Sequence, residues 1–437
     1  MRSFLASPGT SPMLGNGVLN ALTGAALAIS GLGGFVTHTV MADQPPRRVE
    51  GGGARMGTDV SAVVEGNNRF ALDLYARLRA DQPGNLFFSP GSLSTALAMT
   101  YAGARGETAS QMEKVLHFTL PREKLHPAFA SLNRTWNPDG NGRGFRLSVA
   151  NRLWGQEGFH FLPEFLAITR EDYGAELAQV DLMGQTEKAR QQINVWVEEQ
   201  TQGKIRDLIP PGTLDSLSRL VLTNATYFKG DWTKPFEKRA TKDTPFHVTS
   251  RQTLDVPMMY QEDRFPFWAG EGLKILELPY GTGDLSMLVL LPDRIEGLAD
   301  LEARMTDGTL ARWLSGLWRE KVRVYLPRFK LTSQFQLADV LKAMGMPLAF
   351  TPDRADFSGM DGQRDLFVSA VIHQAYVDAN EEGTEAAAAT GIAVGATAVM
   401  VPKEPPVFRA DHPFLFLIRE NRTGSILFLG RLVNPRG

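Results

Sequence analysis

The sequence predicts an α+β fold with antiparallel sheets. Apolar stripes at helical spacing and runs at strand spacing are both present, in separate blocks along the chain. From Thr58 to Gly437, about 380 residues, there is no composition break and no internal repeat, so this length reads as one folded unit.

Taken in order, the first 42 residues read as a signal peptide. Val18 to Val36 (VLNALTGAALAISGLGGFV) is apolar and uncharged, and Val40 and Ala42 suit a small-residue cleavage site. The run is also about long enough to span a bilayer, so an uncleaved anchor is the alternative; its four glycines favour the cleaved form. Asp43 to Gly57 (DQPPRRVEGGGARMG) has linker composition. The folded part is expected from Thr58. Phe70, Ala71, Leu74, Tyr75 and Leu78 share one helical face. Ser89-Pro90 is a helix start, with a capping oxygen followed by a residue whose missing N–H costs nothing there. The helix after it is rich in small residues and should lie close to other backbones. Leu285 to Leu291 (LSMLVLL) reads as a strand buried on both faces. Val322, Val324 and Leu326 alternate with Arg323 and Tyr325 as a half-buried strand. Leu337, Val340, Leu341 and Met344 form a second helical stripe, closed by Gly345 as C-cap.

Composition narrows function. The net charge is −2, which leaves no footprint for nucleic acid. There are no cysteines, so disulfides, thiolate catalysis and cysteine-based zinc sites are excluded. The chain has no G-x-S-x-G elbow, no H-E-x-x-H and no P-loop, and an enzyme reading has no positive support. The seven histidines are scattered. His373, in the strand-like run LFVSAVIHQAYV, reads as a buried histidine with satisfied hydrogen bonds. Asn133, Asn224 and Asn421 each begin an N-x-T pattern.

One stretch resists an ordinary account. Glu381 to Gly391 reads EEGTEAAAATG: exposed-looking acids and a glycine, then four alanines. Alanine favours helix, yet nothing here packs at helical spacing. Several other motifs stand in a fixed order around it: NLFFSP (Asn85–Pro90), LTNATYFKGDWTKPF (Leu222–Phe236), VPMM (Val256–Met259), LELPY (Leu276–Tyr280), LPRF (Leu326–Phe329), ADFSGM (Ala355–Met360) and ADHPFLFLIRENRTGSILFLGRLVNP (Ala410–Pro435). In register over nearly all of Thr58–Gly437, these motifs resemble the serpin family of serine protease inhibitors. The resemblance implies about nine helices around three mostly antiparallel sheets, and an exposed C-terminal reactive loop at about residues 381–406 that proteases cut.

The resemblance also gives the odd stretch a purpose: after cleavage, the first half of the loop enters the large sheet as a new strand. Strand parity then puts Thr384, Ala386, Ala388 and Thr390 on the interior face, where small uncharged residues suit. Glu385, Ala387 and Ala389 take the other face. Glu381 opens the hinge, and Gly383 sits where the chain must swing, with torsions glycine tolerates. By resemblance, Ser89, Asn224 and His373 form the shutter at the sheet centre, and Trp232 marks the breach where the loop first enters. In the family's usual register from Glu381, the acyl group comes from Thr397 and the bond is Thr397-Ala398; Met400-Val401 is the alternative, because the segment is a few residues longer than in typical relatives. Neither option offers a cation, so the expected target has a small or apolar pocket, elastase-like or subtilisin-like.

The implied partner is a target serine protease, held as a covalent acyl complex. No cofactor, metal site, heparin stripe or nucleic-acid site is indicated, and a monomer is expected. The expected location is secreted or extracellular, or periplasmic or membrane-anchored were the first segment retained. The rival readings are a non-inhibitory serpin acting as a binding or chaperone protein, and a hydrolase on another fold. The clean hinge, free of bulky or proline residues, favours an inhibitor.

Overall fold

In the computed structural model, the described residues are 57–136, 144–383 and 404–437. The proposed signal peptide and nearly all of the linker lie outside them, as do Thr384–Thr390 and both proposed scissile bonds.

Helix α1 (Thr58–Asp81) buries the predicted stripe Phe70, Ala71, Leu74, Tyr75 and Leu78. Strand β1 (Leu86–Phe88) then leads into α2 (Pro90–Tyr101). Ser89 caps α2: its Oγ accepts the Ser92 N–H at 3.3 Å, with Pro90 at the first helical position. Every residue of α2 is buried, as its small side chains require for close approach. Next come α3 (Gly106–Leu116), α4 (Arg122–Trp136), β2 (Phe145–Gln156), α5 (Pro163–Tyr173), β3 (Ala178–Val180), α6 (Thr186–Gln200) and β4 (Leu220–Gly230). A strand-rich block follows: β5 (Lys242–Thr249), β6 (Gln252–Gly270), β7 (Leu273–Tyr280) and β8 (Leu285–Pro292). Helices α7 (Leu298–Arg304) and α8 (Asp307–Ser315) precede β9 (Trp318–Pro327) and β10 (Phe329–Gln336). After α9 (Ala338–Met344) and α10 (Ser358–Asp361), β11 (Val368–Ala379) leads to the loop, and β12 (Val407–Arg409), β13 (Phe414–Glu420) and β14 (Ile426–Leu432) close the chain.

Hydrogen bonding groups these strands into two networks among the described residues. The nine-stranded one runs β1-β14-β13-β8-β7-β6-β9-β12, with β5 on β6. The long β6 joins two parts of it: it pairs with β9 over Met258–Phe267 but with β7 only over Phe267–Gly270. Two of the three expected sheets are therefore one continuous ladder. Strand β8 is buried along its whole length, as its unbroken apolar run predicts.

The five-stranded sheet, β10-β11-β4-β2-β3, positions the site. Its central pair, β4 and β11, runs parallel; β10 lies antiparallel to β11, and β2 antiparallel to β4. One face meets the main core, which includes Val371, Ala375 and Val377. The other meets a smaller cluster under α6, with Ala225, Ala370, Ile372, Ile193 and Val197.

Candidate functional site: the central seam and the loop hinge

Where β4 and β11 meet, Asn224 and His373 stand opposite one another, with Asn151 of β2 beside Asn224 in the same row. His373 is fully buried. The Ser89 N–H donates to its Nε2 at 3.0 Å. A backbone amide can only donate, so Nε2 is bare and the proton sits on Nδ1, which donates to Asn224 Oδ1 at 2.5 Å. Burial lowers the imidazole pKa from 6.5 to about 3, despite an opposing hydrogen bond to the Asn224 backbone. The neutral ring thus links α2 to both central strands. Ser89 Oγ donates to the Leu427 carbonyl at 2.8 Å, bringing in β14. Asn224 Nδ2 donates to Ser92 Oγ at 2.6 Å and also to Asn151 Oδ1. The three residues expected at the shutter do come together. Ser92 and Asn151 complete the network and were missed; Ser89 was legible as a helix cap ahead of Pro90, but Asn151 carries no local signal. Full burial also bars the Asn224 N-x-T pattern from glycosylation.

At the carboxyl end of β11 the chain turns back on itself. Asn380 and Gly383 form an isolated antiparallel bridge, with the Gly383 N–H donating to the Asn380 carbonyl at 3.1 Å. The Trp232 N–H donates to the Glu382 carbonyl at 3.1 Å, and the Phe236 N–H to the Glu381 carbonyl at 2.8 Å. Trp232 Nε1 donates to the Asn380 carbonyl at 2.8 Å, and its ring stacks on Tyr280 at 4.4 Å. Trp232 is thus bonded directly to the first residues of the loop. Gly383 has φ +92°, and a Cβ placed there would lie 2.2 Å from the Trp232 nitrogen and 2.4 Å from the Gly230 carbonyl oxygen. Both torsion and space demand glycine here.

The acids at this turn correct the expectation of an exposed run. Glu381 is 1% exposed. Arg328 grips both its oxygens, Nε to Oε2 at 2.6 Å and Nη2 to Oε1 at 2.5 Å, and Thr241 donates to it as well. Burial works to raise the carboxyl pKa, but the Arg328 and Thr241 bonds outweigh it and hold the group below the ordinary 4.5. Glu382 pairs with Lys238. Arg328 lies in the LPRF motif, but its partner is 53 positions away and no local pattern names it.

The far foot of the loop is an edge. Glu404 pairs with Arg323 at 3.2 Å, the Arg323 N–H donates to the Pro406 carbonyl at 2.9 Å, and β12 lies parallel to β9. Between the two feet, Thr384, Glu385, Ala386, Ala387, Ala388, Ala389, Thr390, Thr397, Ala398, Met400 and Val401 lie outside the described residues. Among the described residues, no cluster of His, Cys, Asp or Glu could hold a metal ion, and no helix is long and apolar enough to cross a membrane.

Comparison with known proteins agrees with this geometry. Residues 65–435 match the family model described as Serpin (serine protease inhibitor). The chain is 50% identical to leukocyte elastase inhibitor of Bos taurus over 378 residues, covering 84% of this chain and 98% of that protein. Its identity to leukocyte elastase inhibitor of Homo sapiens is 46%, with the same coverage. Among solved structures, uncleaved ovalbumin superposes with a TM-score of 0.77 at 34% identity, over 86% of this chain and all of that one. Serpin48 of the insect Tenebrio molitor gives 0.76 at 34% identity, over 87% of this chain and all of that one. With a family-model match over residues 65–435, relatives at 46–50% identity and solved structures of the same fold, the chain belongs to the serpin family of serine protease inhibitors.

Proposed function

We propose that this serpin is an irreversible suicide-substrate inhibitor of serine proteases. The seam between β4 and β11 carries the reading. These strands run parallel, and the segment that follows β11 is already turned back at Asn380–Gly383. A segment continuing that return would run antiparallel to both neighbours and pair its backbone on both sides. Insertion would replace the single β4–β11 ladder with two, adding backbone hydrogen bonds along the seam.

The proposed chemistry is acyl transfer. The protease serine Oγ adds to the Thr397 carbonyl carbon, the Thr397–Ala398 C–N bond breaks, and the serine proton passes to the new Ala398 amine. An ester remains between Thr397 and the protease. Met400–Val401 is the alternative bond. Insertion of Thr384–Thr390 then draws the tethered enzyme away and distorts it before water can cleave the ester. The energetic drive is the added strand pairing and apolar burial, worth about 25 cal/mol per Å². An elastase-like or subtilisin-like target fits the small and apolar loop residues, and relatives at 46–50% identity named leukocyte elastase inhibitor favour the former. Export is proposed on the N-terminal segment alone, and terminal sequencing of the mature protein tests it.

Incubation with a protease panel tests the function. The expected result is an SDS-stable complex with an elastase-like or subtilisin-like enzyme. Thr397→Arg should move complex formation to a trypsin-like enzyme, whose buried carboxylate gains a charge-assisted bond. Cleavage without any stable complex contradicts the reading and favours a non-inhibitory binding role. A trypsin-like complex with Met400→Arg but not with Thr397→Arg moves the bond to Met400–Val401.

A further inference from the structure

The outward face of β6, β9 and β12 carries an unusual concentration of cations. Val322, Val324 and Leu326 point into the core, so Arg319, Lys321, Arg323 and Tyr325 point out. Their partners in register on β6 are Pro266, Arg264, Glu262 and Tyr260. On the other side, Val407 and Arg409 of β12 stand beside Arg323 and Tyr325. Five cations therefore share this face with two acids, Glu262 and Glu404, on a chain whose net charge is −2.

The pairing within the face is incomplete. Glu262 is bonded by Lys321 at 2.5 Å, and Glu404 by Arg323 at 3.2 Å. Arg409 lies over the Tyr325 ring at 3.7 Å, and Tyr325 packs on Tyr260 at 4.9 Å. Arg264 stands directly opposite Lys321, and like charges in register destabilise a ladder. Among the described residues, neither Arg264 nor Arg319 makes a side-chain hydrogen bond or ion pair, although Arg319 feels the charge of Asp263, which is held by Lys234. The fold therefore carries a repulsion between Arg264 and Lys321 that is offset only through Lys321's pair with Glu262.

This face is continuous with the far foot of the reactive loop, since β12 and Glu404 belong to both. The chain from Thr397 to Glu404 spans at most about 25 Å, so an enzyme engaged at the proposed bond sits within reach of the face. We infer that the β6–β9–β12 face is a docking surface for an acidic patch on the target protease beside its active site. It would raise the rate of encounter and select among enzymes of similar pocket specificity by surface charge. The inference rests on the inhibitory reading above.

The test compares two proteases with the same small-residue specificity, one of acidic and one of basic surface. The variant carries Arg264→Gln, Arg319→Gln and Lys321→Gln together. For wild type, the second-order rate of complex formation with the acidic enzyme should fall as salt is raised. At low salt the variant should be about tenfold slower with that enzyme and no slower with the basic one. Its stoichiometry of inhibition should be unchanged, and its thermal midpoint should change little, because the substitutions remove the Arg264–Lys321 repulsion together with the partly exposed Lys321–Glu262 pair. Rates with the acidic enzyme that do not respond to salt or to the substitutions overturn the inference, as does a variant that loses only binding to a sulfated polysaccharide. If no covalent complex forms with either enzyme, the inhibitory reading fails; the on-rate for a catalytically dead acidic protease then decides the docking surface separately, and no binding, or binding indifferent to the variant, overturns it.

Discussion

The β4–β11 seam is fastened at two places by different chemistry. At its middle, His373, Asn224, Ser89, Ser92 and Asn151 form a neutral network, with His373 and Asn224 fully buried. At the hinge, the fastening is ionic and half open to water: Glu381 is buried, but the Arg328 side chain is 43% exposed. The neutral network can exchange partners as strands separate without uncovering a charge. The ionic one must either stay intact or release a carboxylate into solvent. On the proposed mechanism, sheet opening would be guarded by geometry at the centre and by charge at the hinge, and the two should respond to different perturbations.

The strongest way to break this comparison is at Gly383, where torsion and space act together. Gly383→Val must adopt φ near +92° and push against the Trp232 and Gly230 backbone. The expected loss is about 3–4 kcal/mol in the intact protein. The cleaved protein should lose little, because an inserted strand gives residue 383 an extended backbone. Denaturant unfolding of both forms checks this; an equal loss in both means the hinge turn persists after cleavage.

The second perturbation is pH, and it separates the two fastenings. His373 titrates lower in the folded protein, near 3, than its ordinary 6.5. Between these values the unfolded chain binds the extra proton, so stability is full above pH 6.5 and declines as pH falls. The decline is about 2 kcal/mol by about pH 5. His126, also lowered by burial to about 4, adds a similar slope. His373→Gln should remove only its own share, roughly halving the decline. Glu381 has linkage of the same sign in a lower window: its folded pKa is depressed below 4.5, so its contribution is complete above that value and is lost only in stronger acid. Stability curves for wild type and His373→Gln between about pH 7 and 5 check the assignment. An undiminished slope would show that the shutter imidazole is not the titrating group.

The smallest effect sharpens the hinge. Arg328→Ala leaves the Glu381 carboxylate buried with Thr241 as its remaining side-chain partner. The expected cost at neutral pH is about 1–2 kcal/mol, limited because Arg328 is partly solvated. Double substitution with Glu381→Gln should recover part of it, which a double-mutant cycle measures. Full additivity would mean the pair is not coupled.

Much of the fold was legible because its signals are local. The α1 stripe, the Ser89 cap, the fully buried β8 and the alternating β9 each depend on a few adjacent residues. Gly383 was legible as a place needing glycine, although its clash with Trp232 was not. The expectation of exposed acids failed at Glu381 because its burial depends on Arg328 and Thr241, 53 and 140 positions away. Asn151 was missed for the same reason: only the β2–β4 register places it beside Asn224. The charged face of β9 was half visible, since alternation showed Arg323 and Tyr325 pointing outward, but its facing partners come from β6.

The central claim is that the intact sheet waits for one more strand. It is tested most directly by calorimetry of the intact protein and of protein cleaved between Gly391 and Pro402. Insertion would replace the single β4–β11 ladder with two, so the cleaved form should melt far above the intact one. Equal thermal midpoints, with the loop shown to be cut, would contradict the account.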